Sequence, residues 1–426
     1  MKSIFKTSIF VSIFSLFASS FAAADFSAFD FQGDLLSKPK RYFELGVDAD
    51  VAGANNLLGL KDILQKEVVI DLTKIANDMS DSGFKFSFYD REKVFVNLNI
   101  SSRFRFSGFA SVEGNAHFNI SKDLFELLGN GLSAGESKTV DVLGYADLYA
   151  NLGASFQTII KGYGVKITPT YFIPLVYVPK TTATGKLTTS SNGSIRANAE
   201  ANVDIYTAVN MHDFIEDSKT FDNLDFSVAD LLSKGGLDLS LEMERNFFHN
   251  FNAGLYTRVP IIGGKLDYKM STRVWAYAYE KNALGILDDT EDHDYDYGKD
   301  DFTYSEETFK VYRPFRLGLN ATYTPFGQWL KIQPALGFAV RNPYTNGDRI
   351  FYMEYALDFR ASFVKRIFNF NLGTAYQNQV FQQRFGFSLN LRVLEIMAQA
   401  SMCGTTFLTS FKHDGYGAFV GIRMGF

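Results

Sequence analysis

The chain is poor in most of the residues that usually announce a chemistry. In 426 residues there is one cysteine, Cys403, with two tryptophans, nine prolines and five histidines. A single cysteine excludes a disulfide framework, and none lies near the N-terminus to carry a lipid. The histidines, His117, His212, His249, His293 and His413, are scattered without metal-ligand spacing. No basic excess is present: the formal net charge is −5, which argues against a nucleic-acid partner. Beyond the first 24 residues there is no apolar run approaching the roughly 20 residues that a membrane helix needs. No Pro/Gly/Ser-rich linker divides the chain. GYGAFVG, near the C-terminus, is a near miss for a dinucleotide fingerprint, with no helix to follow it. No cofactor is expected.

What is present is aromatic and alternating. Phe and Tyr number 43 and 22, so that aromatics make up 16% of the chain. Residues 1–24 form a separate unit. Lys2 and Lys6 precede the apolar IFVSIFSLFASSF, and Ala22, Ala23 and Ala24 offer small residues for cleavage before Asp25. These three parts in order read as a secretory signal peptide.

The C-terminal half repeats one pattern. In FYMEYALDFRASF, Phe351, Met353, Tyr355, Leu357 and Phe359 share one face, opposite Tyr352, Glu354, Asp358 and Arg360. IFNFNLGTAYQ and RFGFSLNLRV behave alike, the latter setting Arg384 and Arg392 against Phe385, Phe387 and Leu389. FRLGLNATY, with Arg316, and LDLSLEMER, with Asp238, Ser240, Glu242 and Glu244, follow the same rule. The terminal GYGAFVGIRMGF places Tyr416, Val420, Ile422, Met424 and Phe426 on one apolar face. Alternating side chains point to opposite faces of a strand. The runs reach the roughly 9–11 residues of a tilted membrane strand, and short turns (VKR, TPFG) alternate with longer ones (NPYTNGD, QNQVFQ, CGTTFLTSFKHDG). In lipid every backbone group must be paired internally, so such strands require closure. The fold expected is all-β: a transmembrane antiparallel β-barrel of about 14 strands, spanning residues 93–426 in the bacterial outer membrane, in contact with lipid on its apolar face. Its terminal strand would be read by the barrel-assembly machinery. Parity from a periplasmic Phe426 puts the long loops outside, but places the stretch from Thr207 to Gly236 on the periplasmic side.

Residues 25–92 differ in character. FELGVDADVAGANN reads as a strand, whereas NLLGLKDILQKE, VIDLTKIANDM and the later SKDLFELLGN have helical spacing, with Ser121 as a possible cap. Clear alternation starts at VFVNLNI. A helical segment ahead of a polar-lined barrel is expected to fold inside it as a hatch.

FELGVDADVAGANN, NISKDLFELLGNG, GYGVKITPTYF, GGLDLSLEMERNF, FRLGLNATY and FVGIRMGF together resemble the FadL-like outer-membrane channels for hydrophobic compounds, in a branch found in spirochaetes and Bacteroidota. The resemblance implies a 14-stranded barrel, an N-terminal hatch, and passive passage of fatty-acid-like molecules. The family's Asn-Pro-Ala hatch motif is absent; only Ala54-Asn55-Asn56 stands there.

Candidate sites are few. Phe26, Phe29 and Phe31 suit either a greasy ligand contact or an N-terminal anchor. Glu242, Glu244, Arg316, Asp358, Arg360, Arg384 and Arg392 should line the lumen, as a selective pore or as paired networks filling it. The acidic stretch from Asp288 to Asp301 fails the calcium-loop pattern and reads as a solvated loop. A hydrolase would need a Ser-His pair on the outer rim, and nothing in the sequence points to one. Adhesin-type display through the long loops and an open porin are the alternatives to a hydrophobe channel.

Overall fold

The computed structural model describes residues 35–37, 41–57, 72–101, 103–191, 194–212, 227–280, 294–327, 329–364, 367–391, 393–412 and 414–426. Residues 1–24, where the sequence reads as a signal peptide, and Phe26, Phe29, Phe31 and Arg392 lie outside the described residues.

Alternation of apolar and polar side chains produces eighteen strands among the described residues. They are β1 (Phe43–Asn55), β2 (Phe84–Asn99), β3 (Phe104–Ile120), β4 (Ser137–Ile160), β5 (Tyr163–Thr189), β6 (Ile195–Thr207), β7 (Gly236–Phe248), β8 (Phe251–Ile262) and β9 (Gly264–Glu280). Then follow β10 (Asp294–Lys299), β11 (Thr303–Val311), β12 (Phe315–Tyr323), β13 (Leu330–Arg341), β14 (Ile350–Phe363), β15 (Phe368–Gln377), β16 (Val380–Asn390), β17 (Leu394–Gly404) and β18 (Gly415–Gly425). Three helices accompany them: α1 (Leu72–Asp78), α2 (Lys122–Asn130) and α3 (Val228–Ser233).

Fourteen strands close a ring. From β1 it runs through β2, β3, β4 and β5 to β7 and β8, then through β12 and in sequence to β18, which pairs with β1 again. Every neighbouring pair is antiparallel. The last residue makes the closure: Tyr42 N donates to the Phe426 carbonyl at 2.7 Å, Phe426 N donates to Phe43 O at 3.1 Å, and the Phe43 and Phe426 rings stack at 5.7 Å. A closed ring leaves no unpaired edge, which is the condition lipid imposes.

The side chains sort as the alternation requires. On β16, Phe385 is 59% exposed on the outer face while Arg384 beside it is 3% exposed within. Around the short-turn end an aromatic belt faces outward, with Phe248, Phe326, Trp329 and Phe363 in ring-to-ring contacts. Bulk is accommodated inside by glycine in two places. The Phe95 ring lies flat on Gly46, and Phe109 on Gly153, each so close that a β-carbon there would overlap the ring.

The other four strands stand beyond the ring. β5 has 27 residues; its first part pairs with β7 in the wall, and its later part pairs with β6, which leads to β9 and then to β10 and β11. At roughly 3.3 Å per residue, β5 is far longer than a bilayer requires. This topology corrects the parity reading. β6 is not a wall strand, so residues 207–212 and 227–236 lie at the long-connection end with the other long segments. QNQVFQ also proves short: Asn378 and Gln379 form a two-residue turn, both with positive φ, as a tight hairpin demands.

The hatch boundary needs the same correction. β1 and the start of β2 stand in the wall, so within 25–92 the stretches 43–55 and 84–92 line the barrel instead of filling it. Their inward row is partly small or charged, which hid the alternation. α1 packs against α2 at the long-connection end through Ala76, Met79 and Phe125. Ser121 precedes α2 but caps nothing with its side chain; its Oγ accepts from Asp141 N at 2.9 Å. Among the described residues of the early segment, 35–37 enter the ring: Leu35 N donates to Glu244 Oε2 at 2.5 Å, and Gln157 Nε2 donates to Leu35 O at 2.7 Å.

Candidate functional site: a chamber in the lumen

The lumen divides along its length. Toward the long-connection end it is filled. Arg341, 1% exposed, leaves β13 to meet Asp147 on β4 at 2.9 Å and Asp348 at 3.0 Å, while Tyr177 donates to Asp348. Its guanidinium also lies over the Tyr145 and Tyr177 rings, at 4.7 and 4.2 Å. β4 and β13 are five places apart in the ring, so this contact crosses the lumen. Gln379 reaches Tyr145 from the turn opposite. Beside this layer an apolar cluster of Tyr149, Phe172, Tyr177, Tyr206, Leu266 and Val311 ties the ring to the outlying strands, with Phe309 stacked on Tyr206 at 4.3 Å. One step inward Arg313 spans Asp238 at 2.7 Å and Glu113 at 2.5 Å.

Below Arg313 the lumen opens into a cavity of about 810 Å³ that reaches the short-turn rim at His249, Asn250 and Thr324. Its wall is polar and mostly cationic: eleven lysines and arginines line it against four carboxylates, Glu44, Asp48, Glu113 and Glu242. Apolar contributions come from Leu36, Phe95, Phe109 and Tyr256. Lys93 lies over Phe109 at 4.9 Å and over Phe95 at 5.7 Å. Several of these cations are paired: Arg41 with Glu44 at 2.8 Å, Arg91 with Asp50 at 3.6 Å, Lys166 with Glu242 at 2.6 Å, Arg258 with Glu113 at 3.8 Å and Arg316 with Glu354 at 3.4 Å.

The expected site residues fall into three groups. Glu242, Arg316 and Arg360 line the chamber, with Glu244 beside them holding the Leu35 amide. Asp358 and Arg384 pair with each other at 2.6 Å, buried between β14 and β16 away from the chamber. Tyr416, Val420, Met424 and Phe426 are exposed on the outer face, Ile422 half-buried in the same row. Lys331, Lys93, Arg258 and Arg105 were legible in principle, since each sits on the polar phase of its strand. Arg313 and Arg341 were not: Arg313 lies in the link between β11 and β12 and Arg341 is the last residue of β13, where periodicity stops. A Ser-His pair does exist, Ser87 Oγ to His117 Nδ1 at 2.8 Å, but it is buried and faces the lumen, away from the outer rim.

No protein-family model and no curated protein matches the sequence. Among solved structures the chain is similar to the P. putida toluene transporter TodX (TM-score 0.42, 9% identity, 92% of this chain and 94% of that one). It is likewise similar to the Ralstonia pickettii toluene transporter TbuX (0.41, 8%, 92% and 93%) and to the translocator domain of autotransporter NalP from Neisseria meningitidis (0.31, 7%, 91% and 90%). Likeness at this level carries no argument about solute, and the barrel assignment rests on the closed hydrogen-bond ring itself.

Proposed function

We propose that the protein is an outer-membrane channel, shut in this conformation, for passive passage of hydrophobic compounds that carry an acidic group, fatty-acid-like molecules among them. The observation that carries this reading is the chamber: cations interleaved with Phe95 and Phe109 behind an apolar outer wall, open at one end and stopped at the other by Arg313 and Arg341. Residues 35–37, already inside the ring, are the natural lead of a movable plug formed by the N-terminal region, in which Phe26, Phe29 and Phe31 would meet the solute. The exposed row of Tyr416, Val420, Met424 and Phe426 would be the signal read by the barrel-assembly machinery. Long connections then face the exterior. Proteoliposomes carrying the protein should take up labelled decanoate faster than empty ones; equal rates reject the role.

A second reading is supported by the strands outside the ring. β6, β9, β10 and β11 form a platform with acidic connections, suited to display. Removing residues 286–306 should then abolish partner binding and leave uptake intact, whereas a pure channel would show no binding to lose.

A further inference from the structure

Of the two tryptophans in the chain, Trp329 sits in the aromatic belt of the wall, and Trp275 stands far from it on an outlying strand. β8 alone, with 12 residues, meets the roughly 9–11 that a membrane strand needs. β9 follows it, and Trp275 lies about 36 Å along the strand beyond its start at Gly264. An indole placed there serves no lipid interface.

β9 carries Trp275, Tyr277 and Tyr279 at alternate positions, which puts all three rings on one face of the outlying sheet, about 7 Å apart along the strand. Residues directly opposite in an antiparallel pair share a face, so register completes the surface. On the β6 side Glu200, Asn198 and Arg196 stand opposite the three rings in turn. On the β10 side Gly298 stands opposite Trp275, and Asp296 opposite Tyr277. Gly298 sets the pose of the indole: a β-carbon there would come within 2.9 Å of Trp275 Cζ2, so the ring lies across the neighbouring strand. Asp296 holds it, accepting from Trp275 Nε1 at 3.2 Å. The surface is open to solvent, with Tyr277 36% exposed and Asn198 and Asp296 exposed beside it.

Its charge is compensated on the spot. Arg273 grips Glu200 through hydrogen bonds of 2.8 and 3.0 Å, and Arg196 lies over the Tyr279 ring at 5.5 Å. No field of one sign is offered to a charged partner. What is offered is a line of aromatic rings bordered by amide, carboxylate and guanidinium groups. Scattered exposed apolar side chains are ordinary; a row in register with polar groups on both flanks is a pattern. A sugar ring matches it, presenting a flat patch of C–H groups to the negative face of an aromatic ring and hydroxyls at its rim to the polar flanks. Rings in line favour a chain that runs straight over one that coils.

We infer that this face of β6, β9 and β10 binds neutral glycans of the extended, β-linked kind, stacked on Trp275 and Tyr277. The inference rests on the display reading and supplies the chemistry of the partner; passage through the lumen does not enter.

The test is a fluorescence titration of the full-length barrel in zwitterionic nanodiscs. In W329F, Trp275 is the sole tryptophan, so its emission reads the site directly. Cellohexaose and chitohexaose are the probes, with maltohexaose, which coils, and octalysine as comparisons. A straight sugar should shift Trp275 emission saturably, with a midpoint that added salt does not move, because no net charge is screened. Affinity should fall at least about tenfold in Y277A, as loss of an aromatic anchor does, and Y277F, which restores the ring, should recover it. Heat-modifiable mobility on gels confirms that each variant is folded. No shift with either straight sugar, equal binding by Y277A, tighter binding of maltohexaose, or a response to octalysine alone would overturn the site. A partner lost on removing residues 286–306 while neither sugar binds keeps the display reading and overturns the glycan site. Sugar binding without any such partner keeps the site and rejects display.

Discussion

The two halves of the lumen use the same residue types to opposite ends. In the filled half each arginine sits between two carboxylates: Arg341 between Asp147 and Asp348, Arg313 between Asp238 and Glu113. In the chamber, cation faces cation across two strand pairs. The first arrangement sets each cation between two close acids; in the second, Arg258 and Arg316 reach Glu113 and Glu354 at the longer distances of 3.8 and 3.4 Å. Composition does not separate a plug from a binding surface. Register does.

The largest expected effect comes from breaking the filled half. Arg341→Met leaves Asp147 and Asp348 buried without their cation, and removing one partner of a buried pair costs about 3–5 kcal/mol. The midpoint of heat-modifiable mobility should fall clearly, and a planar bilayer should show conductance that the parent lacks. An unchanged midpoint would mean that Arg341 does not hold the seal. Next is the boundary between chamber and wall. Gly153→Val drives a side chain into the Phe109 ring, and overpacking of this kind costs about 1–3 kcal/mol. The ring should be pushed into the chamber and the midpoint should fall; a variant with the parental midpoint would contradict the packing described.

Smaller and more diagnostic is Lys331→Glu, which converts a like-charge pair into an ion pair with Arg360. Stability should rise by about 0.2–1 kcal/mol, read as a higher midpoint of heat-modifiable mobility. A variant that is less stable would show that Lys331 and Arg360 already coexist without strain. Smallest is a pair outside the ring. Arg273 donates to Glu200 at 2.8 Å, and that hydrogen bond holds the Glu200 carboxyl below its ordinary range. A depressed carboxylate contributes stability above its unfolded value and loses it as pH falls through the folded one. Acid should therefore loosen β6 from β9, measured as amide exchange, and Glu200→Gln should flatten that dependence. Because the pair is exposed, the change should be slight.

How far the sequence could be read follows from where alternation is clean. From Phe315 onward each strand shows one apolar and one polar face, and the wall, the inward Arg316, Arg360 and Arg384, and the outward terminal row are all visible as a period of two. β1 was readable as a strand but not as wall, because Gly46, Ala52 and Ala54 stand on its inward face beneath larger neighbours. The four outlying strands misled parity for a different reason: β6 and β9 alternate like wall strands, and nothing local tells a strand that closes a ring from one that extends beyond it.

The sequence by itself determined that this chain makes long two-faced strands whose apolar side needs lipid, since side-chain alternation is a local property and survives any choice of partner. Only the tertiary structure decided that fourteen strands close while four stand apart, that Arg341 crosses the lumen to seal it, and that Lys331 stands opposite Arg360. Those outcomes depend on register and on which strand lies across the ring, and both are set by hydrogen bonding between segments far apart in the chain.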